Sequence, residues 1–407
     1  MRRRWRCVAN NTDTIEYLDG STRTTTTKPQ EHIIGGAGTY AALGARLAAG
    51  QRHAGAVSWI VDMGSDFPAE FKTTIETWRT RCVFRRDDAR LTTTAWNGYG
   101  PNEFRAFKYL TPKRRLDEHA LDDEQVWAKS FHMVCSPARC MALVKGIMER
   151  RRELRRRRRR RRHLRSTVMG GKGDDKEDGG DDDDDEEDED RPLFIWEPIP
   201  DLCTPEELSR LRDAAACVDV VSPNADELEA FFKGMPEISS SRERMVASLL
   251  GLDRRDNNSG EQKVCLGTAA ALVVREGAQG CTTYIGSTRG LHLPAYHHQR
   301  KDKVVDPTGG GNTFLGALAI GMTGTTTPGE EEVLGLPDET VFREKRLLLA
   351  LLHATIAAGY AIEQVGMPAV STEDGDCWNG EAYPARFREY VNRERDHILA
   401  QLSSSCW

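Results

Sequence analysis

Short apolar runs alternate with helix-like stretches along most of the chain, and each run has the length of a buried strand. The runs cover residues 56–61, 131–135, 193–196, 218–221, 270–274 and 304–305. Alternating strands and helices predict a mostly parallel central sheet with helices on both faces. We therefore expect one α/β domain over residues 1–407, with its ordered core between about residues 13 and 370.

Residues 90–109 break this pattern with threonines and aromatics around an Asn97-Gly98-Tyr99-Gly100-Pro101 turn, which is typical of a β-hairpin. We interpret this hairpin as a small β lid. Such a lid could cover its own site or that of a second copy, so a homodimer is compatible with the pattern. Residues 1–11 lack the apolar pattern of a buried strand, and we expect the first element of the sheet to be missing or altered.

One long segment cannot bury apolar surface. Residues 150–165 are dominated by arginine, and residues 172–190 by glycine and acidic side chains. We predict a disordered low-complexity insertion over residues 153–190, although the basic half is also compatible with continuing the helix that begins near Met141. The opposite charges lie side by side, so a solvated insertion is favoured over nucleic-acid contact.

Charge and composition narrow the function classes. The 407 residues carry a formal net charge of −6, which argues against a dedicated nucleic-acid binder. The ten cysteines include no C-x-x-C pair, so reduced thiols are favoured over a zinc site. The longest apolar stretch, residues 347–362, is too short to span a bilayer easily. We expect a cytoplasmic protein without membrane or nucleic-acid partners.

The most informative stretch is the Asp306-Pro307-Thr308-Gly309-Gly310-Gly311-Asn312 segment, which small apolar residues follow. With Val304 and Val305 as a short extended lead-in, it predicts a strand, a glycine loop and a helix. Backbone N–H groups in such a loop can converge at the positive end of the helix dipole, and glycine lets a bulky anion approach. The segment is therefore a candidate phosphate site.

Polar groups and glycines also follow the other apolar runs. They are Asp62, Gly64, Ser136, Glu197, residues 222–227 and residues 275–280. Because ligands of parallel α/β sheets bind outside the carboxyl ends of the strands, these groups should meet at one edge. Carboxylates, an asparagine and glycine loops together suit a nucleotide with a divalent metal.

These motifs resemble those of the ribokinase (PfkB-type) carbohydrate kinase superfamily, and in particular its fungal group named for maintenance of killer virus. Four motifs occur in the family order: Gly35-Gly36, Asn224-Ala225-Asp226-Glu227, Gly277-Ala278-Gln279-Gly280, and residues 306–312 in place of Asp-Thr-Thr-Gly-Ala-Gly-Asp. The resemblance implies a ribokinase-like fold with a β lid. It also implies transfer of the ATP γ-phosphoryl group to a hydroxyl of a sugar or related small molecule, with Mg²⁺.

The resemblance assigns roles residue by residue. Gly309, Gly310 and Gly311 would form an anion hole; Asn312 takes the position of the catalytic base; Asn224 and Glu227 would organise phosphates and metal, Glu227 through water; Gly277 and Gly280 would line the nucleotide phosphates; Gly35, Gly36 and Asp13 would contact the substrate.

Two residues depart from the family pattern. Tyr40 replaces an asparagine that usually follows the Gly-Gly motif, and Asn312 replaces the catalytic aspartate. A carboxamide cannot take the proton of the attacking hydroxyl, and a positioned base contributes on the order of 10²–10⁴-fold. The sequence therefore leaves three hypotheses open: a slow kinase, a pseudokinase that binds nucleotide or sugar and acts through a partner, and a scaffold without ligand.

Each motif also has a purely structural interpretation. Asn224 and Glu227 have the spacing of a helix capping box. Gly277 and Gly280 could belong to a plain hairpin turn, with Arg275 an exposed neighbour. Glu197 could cap its strand, or contact substrate or metal.

Overall fold

The computed structural model describes residues 5–9, 12–17, 30–99, 105–168, 191–252, 271–330, 342–371, 373–374 and 376–403. The strands are β1 (Trp5–Ala9), β2 (Thr12–Tyr17), β3 (Gln30–Ile34), β4 (Val57–Met63), β5 (Arg81–Arg86), β6 (Thr94–Tyr99), β7 (Arg105–Tyr109), β8 (Ser130–Cys135), β9 (Leu193–Pro198), β10 (Val220–Val221), β11 (Ala271–Arg275), β12 (Cys281–Tyr284), β13 (Leu291–Leu293), β14 (Cys377–Trp378) and β15 (Glu381–Ala382). The helices are α1 (Ala37–His53), α2 (Ala69–Thr77), α3 (Pro137–Val168), α4 (Leu208–Ala215), α5 (Ala225–Ala230), α6 (Pro236–Ser239), α7 (Arg242–Leu250), α8 (Gly310–Gly321), α9 (Phe342–Ala361) and α10 (Tyr383–Ser403).

The main sheet has nine strands in the order β13-β12-β11-β10-β9-β8-β1-β4-β5. All pairings from β5 across to β11 are parallel, and β12 and β13 extend the sheet in antiparallel fashion. The carboxyl ends of the parallel strands therefore point to one edge, where the sequence predicts the ligand site.

Both faces of this sheet are buried, because neighbouring residues of a strand belong to different cores. Val220 and Val273 pack with α1, α8 and α9, whereas Val221 and Leu272 pack against the helices of the opposite face. The sheet strands consequently read as continuous apolar runs, which is why the sequence pattern located them.

Helices α1 and α8 cross at very short distance because glycines lie at the contact. A Cβ added to Gly44 would lie 1.8 Å from the carbonyl oxygen of Thr313, and one added to Gly316 would lie 1.8 Å from that of Ala41. Backbone oxygens cannot move aside as a flexible side chain can, so larger residues are excluded at both positions. This contact fixes the glycine loop at the start of α8 relative to the Gly35-Gly36 segment at the start of α1.

A separate sheet of four strands, in the order β3-β2-β6-β7, forms the small β layer that the sequence predicts. Strands β6 and β7 pair in antiparallel fashion, as expected of a hairpin, and β2 pairs with β6 in parallel. Residues 100–104, which include part of the predicted turn, lie outside the described residues. In the described part of the chain, no helix is both long and apolar enough to cross a membrane.

The structure corrects the predicted limits of the core. Residues 5–9 form β1 in the middle of the main sheet, paired with β4 and β8, so the first strand is present. The sequence reasoning missed it because Trp5–Ala9 contains arginine and follows a basic stretch. At the other end, Tyr383 and Phe387 of α10 are buried in the main core, which therefore extends beyond residue 370.

The predicted strand at Val304 and Val305 is also wrong. Both side chains are exposed, and a short 3₁₀ turn over Lys301–Lys303 precedes them. The glycine loop is reached from this turn, and its lead-in is fixed by hydrogen bonds to the residue after α9 instead of by a sheet.

The arginine-rich part of the predicted insertion is helical, because α3 continues to Val168. Leu154 is buried, and the guanidinium groups of Arg151 and Arg158 lie 5.3 and 4.9 Å from the ring centre of Trp127. Arginine favours helices, and its stem and charge can pack on an aromatic face. This segment therefore forms a helix although its composition predicted disorder. Residues 169–190 lie outside the described residues.

Candidate functional site

The glycine loop bends sharply into α8. Gly309 has a φ of 77° and precedes the helix, and a Cβ at this position would lie 2.2 Å from the ring of Tyr40. The left-handed conformation and the close ring both require glycine. The first N–H groups of α8 lack acceptors within the helix, as at any helix start, so the loop presents donors toward the sheet edge.

Hydrogen bonds hold the loop from behind. Asp306 is buried, and its Oδ1 accepts from the backbone N–H of Thr308 at 3.0 Å and from the Thr308 hydroxyl at 2.6 Å. The N–H groups of Val305 and Asp306 donate to the carbonyl oxygen of Ile362 at 2.8 and 3.2 Å. The Asp306 carboxylate therefore shapes the turn.

An ion-pair network fixes the segment that carries the Ile362 carbonyl. Glu363 bonds Arg386 Nη1 at 2.5 Å and His297 Nε2 at 2.8 Å. Burial alone would raise the pKa of Glu363, but the hydrogen bonds from His297 and Arg386 outweigh burial and lower the pKa to about 2. The carboxylate is thus ionised at neutral pH and anchors the support of the glycine loop.

Asn312 lies in the first turn of α8. Its side-chain oxygen is buried and has no hydrogen-bond partner among the described residues. A buried amide oxygen without a partner is costly, which indicates that a donor from water or a ligand belongs beside it.

Arg275, at the carboxyl end of β11, lies directly against the glycine loop. A Cβ on Gly311 would be only 2.3 Å from Arg275 Nη1. On its other side, Arg275 Nη2 lies 2.7 Å from Glu197 Oε1, 3.0 Å from the carbonyl oxygen of Ser222 and 3.5 Å from Glu227 Oε2. The arginine side chain is only 12% exposed, so the expectation of an exposed neighbour is wrong.

His132 lies on the far side of Glu197, with Nε2 3.9 Å from Glu197 Oε2. Burial, reinforced by the charge of Arg275, lowers the pKa of His132 to about 3. The imidazole is therefore neutral at physiological pH, and the positive charge that faces Glu197 belongs to Arg275. From the sequence, Glu197 could cap its strand or contact substrate or metal. His132 belongs to no motif that would predict a role for it.

Asn224 and Glu227 form the capping box of α5. The Glu227 N–H donates to Asn224 Oδ1 at 2.7 Å, and the Asn224 N–H donates to Glu227 Oε2 at 2.8 Å. The structural interpretation of this motif is therefore correct. The same Glu227 oxygen faces Arg275, so the capping box also borders the site.

Gly277 and Gly280 form the turn between β11 and β12. Gly280 has a φ of 108°, and a Cβ there would lie 2.0 Å from the carbonyl oxygen of Leu293, which explains this glycine by packing. Gly277 has a φ of 54° and open space where a Cβ would be. A role for either glycine toward phosphates stays a prediction.

The three residues predicted to contact substrate do lie together. Buried Asp13 on β2 accepts a hydrogen bond from the Gly36 N–H at 3.1 Å, and a Cβ on Gly35 would lie 1.9 Å from Asp13 Oδ2. Tyr40, one helical turn further along, packs against Gly309. Helix α1 and Tyr40 therefore link the Asp13 end to the glycine-loop end.

The residues do not fit a directly bound Mg²⁺. Magnesium prefers an octahedral shell of oxygen atoms, whereas the carboxylates of Glu197 and Glu227 face the guanidinium of Arg275. Among the described residues, no group of three or more His, Cys, Asp or Glu side chains is arranged to hold a metal. The predicted contact of Glu227 to a metal through water stays untested.

Comparison with known proteins now decides the family. A family model described as pfkB family carbohydrate kinase matches residues 198–331, the segment that contains Glu227, Arg275 and the glycine loop. Protein MAK32 of Saccharomyces cerevisiae is 30% identical over 383 residues, which cover 89% of this chain and 86% of MAK32. The chain belongs to the pfkB family. The similarity to MAK32 also supports the predicted fungal subgroup.

Solved ribokinase structures confirm the pfkB fold in this chain. Giardia lamblia ribokinase has a TM-score of 0.59 and 13% identity, covering 97% of this chain and 99% of that chain. Arabidopsis thaliana ribokinase complexed with ribose and ATP has a TM-score of 0.53 and 15% identity, covering 96% of this chain and 99% of that chain. The predicted ribokinase-like α/β class is therefore correct.

Within this candidate site, the sequence predicted the glycine loop, the capping box and the Asp13 end. It placed Arg275 at the same edge, with residues 275–280, but predicted no ligand contact for it. The available signal was a charged residue at the carboxyl end of a buried strand, next to a strand end that carries Glu197. Charges at that edge are candidates for ligand contact.

Proposed function

We propose that this pfkB-family chain binds ATP and a small polyhydroxylated molecule, such as a sugar or nucleoside, and transfers the γ-phosphoryl group slowly. The observation that carries the proposal is the contact of Arg275 Nη1 with Gly311, which places a cation against a glycine loop at a helix start. Both elements bind phosphate oxygens well.

The proposed ligands lie along one line. The phosphates would bind at residues 309–311, and the substrate would lie between that loop and Asp13. The Asp13 carboxylate accepts hydrogen bonds only, so it suits hydroxyl donors of a sugar. The solved A. thaliana ribokinase carries ribose and ATP, which supports the same two ligand classes here.

In the proposed reaction, a substrate hydroxyl oxygen attacks the γ-phosphorus. The bond from that phosphorus to the β,γ-bridging oxygen breaks, and ADP leaves with the electron pair. The proton of the hydroxyl passes to water or to a phosphoryl oxygen, because the amide of Asn312 cannot accept it. Positioning and electrostatic stabilisation remain the main contributions, so transfer persists at a reduced rate.

A second candidate is a pseudokinase that binds nucleotide or sugar and acts through a partner. The observation in its favour is Asn312 itself, because its amide keeps a polar contact at the end of the loop while removing the base. Asp306 does not compensate, since its carboxylate is used inside the turn.

One experiment separates the two candidates. ATP turnover would be measured over a panel of pentoses, hexoses and nucleosides for the natural chain, Asn312→Asp and Asn312→Ala. We expect slow turnover by the natural chain, a gain on the order of 10²-fold or more in Asn312→Asp, and no gain in Asn312→Ala. Turnover by Asn312→Asp alone supports the pseudokinase. Equal turnover in all three proteins would contradict a base position at residue 312.

A further inference from the structure

The guanidinium of Arg275 has two differently used sides. Nη2 is held by Glu197 Oε1 at 2.7 Å and by the carbonyl oxygen of Ser222 at 3.0 Å. Nη1, on the opposite side of the group, faces Gly311 at the start of α8. The held side orients the planar group, and the opposite side presents donors toward the phosphate end of the proposed site.

We propose that Arg275 binds the nucleotide phosphates directly and makes nucleotide binding independent of a divalent cation. This inference rests on the proposed function, because it assigns the charge that neutralises the phosphates of that same site. With Nη2 held, the two N–H bonds of Nη1 remain to donate to phosphate oxygens, and a guanidinium stays charged at any physiological pH.

The charge distribution favours this role over that of a simple ion pair. Arg275 is the cation that faces Glu197 and Glu227, because His132 beside Glu197 is neutral. A guanidinium already placed between two carboxylates competes with a metal for the same oxygens. The fold therefore supplies at this point a built-in positive charge.

Unsatisfied polar atoms indicate that the cluster is incomplete without a ligand. Glu197 is 8% exposed, and among the described residues its Oε2 is buried without a hydrogen-bond partner, as are Arg275 Nε and Asn312 Oδ1. The two oxygens are acceptors, so donors such as water or substrate hydroxyl groups beside the bound phosphates would satisfy them. In our proposal Glu197 is a positioning residue, which holds Nη2 so that Nη1 faces the phosphates.

The test measures binding of ADP and ATP by isothermal titration calorimetry, once in EDTA and once in excess MgCl₂. In the natural chain, we expect the two Kd values to agree within about threefold. In Arg275→Gln, we expect binding in EDTA to weaken on the order of 10- to 100-fold. Arg275→Lys should fall between them, since an ammonium keeps the charge but loses the fixed planar geometry of the donors.

Two further variants guard the interpretation. Arg275→Gln leaves the Glu197 carboxylate without its cation, so the double variant Arg275→Gln with Glu197→Gln removes both charges and keeps the volume. The matched control is Arg191→Gln, which removes an arginine–carboxylate pair at the opposite edge of the sheet. We expect the double variant to bind as weakly as Arg275→Gln, and Arg191→Gln to bind as tightly as the natural chain.

The experiment distinguishes a failure of the role of Arg275 from a failure of the proposed function. If the natural chain binds nucleotide only with MgCl₂, and Arg275→Gln binds equally well, the role of Arg275 is wrong and the proposed function stands. If the natural chain binds neither nucleotide with or without MgCl₂, the proposed function and this inference both fail.

Discussion

Two arginine–carboxylate clusters lie at opposite edges of the same sheet, and they are built differently. At the amino ends of β9 and β10, Arg191 Nη1 bonds both oxygens of Asp219, at 2.8 and 2.7 Å, and Nη2 donates to the carbonyl of Cys217. Asp219 also accepts from the N–H of Phe194 at 2.7 Å. Among the described residues, neither Arg191 nor Asp219 has a buried polar atom without a hydrogen-bond partner.

The cluster at the carboxyl ends is open by comparison. Arg275 uses Nη2 for Glu197, Glu227 and Ser222, while its Nε and one oxygen of Glu197 have no hydrogen-bond partner in the part of the chain that the structure describes. We infer that the closed Arg191 cluster stabilises the fold, and our proposal assigns the open Arg275 cluster to ligand binding. The difference follows from position, because parallel sheets bind ligands at the carboxyl edge.

The largest expected effect comes from matched isosteric changes in the two clusters. Asp219→Asn breaks a two-bond ion pair at a buried carboxylate and should lower the free energy of unfolding by about 3 kcal/mol. Glu197→Gln leaves Arg275 in contact with the carboxylate of Glu227 and the carbonyl oxygen of Ser222, and should cost less, about 1 kcal/mol. Urea unfolding of the two variants and the natural chain measures both values.

The same variants test the comparison in the other direction. Nucleotide affinity should be unchanged in Asp219→Asn and reduced in Glu197→Gln, because Glu197 contacts Arg275 and Asp219 contacts Arg191 instead. Equal stability losses in the two variants would show that both clusters serve the fold, and the distinction between closed and open clusters would have to be abandoned.

The strands that carry the two clusters show how much of the fold could be predicted from the sequence. Apolar runs predict buried strands, so the sequence was sufficient to predict β4, β8, β9, β10 and β11. The residues that follow these strands could then be assigned to one edge of the sheet. The strand Trp5–Ala9 was not predicted, because its sequence has no apolar pattern and the strand is identified by its pairing with β4 and β8.

Part of the candidate site could also be predicted from local sequence patterns, and part could not. Glycines 309 to 311 and the Asn224 capping box depend on local backbone geometry, which leaves a signature of spacing and residue type. The contact of Arg275 with Glu197 joins residues from two strands that are far apart in sequence. No local pattern in the sequence indicates which carboxylate an arginine will face, so the contacts of Arg275 could be identified only from the fold.

A second prediction concerns the charge state of the open cluster. Burial and the charge of Arg275 lower the pKa of His132 to about 3, below the value near 6.5 of an exposed histidine. A depressed pKa contributes stability that is present above pH 6.5 and is lost as the pH falls toward 3. Replacing Arg275 with glutamine removes one lowering cause, so the pKa of His132 should rise, and this acid-induced loss should become smaller.

The measurement is an NMR titration of the histidine ring protons in the natural chain and in Arg275→Gln. His353 is the internal control, because burial alone suffices to lower its pKa to about 3, and its partners are Tyr383 and the carbonyl of Pro328. The His353 signal should not change between the two proteins. An unchanged His132 signal would mean that Arg275 is not the charge that acts on this histidine.

The smallest expected effect on stability comes from Gly311→Ala. Its Cβ would lie 2.3 Å from Arg275 Nη1, which is the end of a flexible side chain and can move aside. Alanine also favours the first turn of a helix, so we expect the free energy of unfolding to change by less than about 1 kcal/mol. The displaced guanidinium would no longer face the phosphates, and ADP binding in EDTA should weaken.

Gly55→Ala is the matched control, because no atom of the described residues lies within 4 Å of the position that its Cβ would take. Both variants are compared by urea unfolding and by ADP titration. Weaker ADP binding in Gly311→Ala alone, at unchanged stability, would separate the ligand-binding role of the open cluster from its contribution to the fold. Equal ADP affinity in both variants would instead place the phosphates away from Arg275.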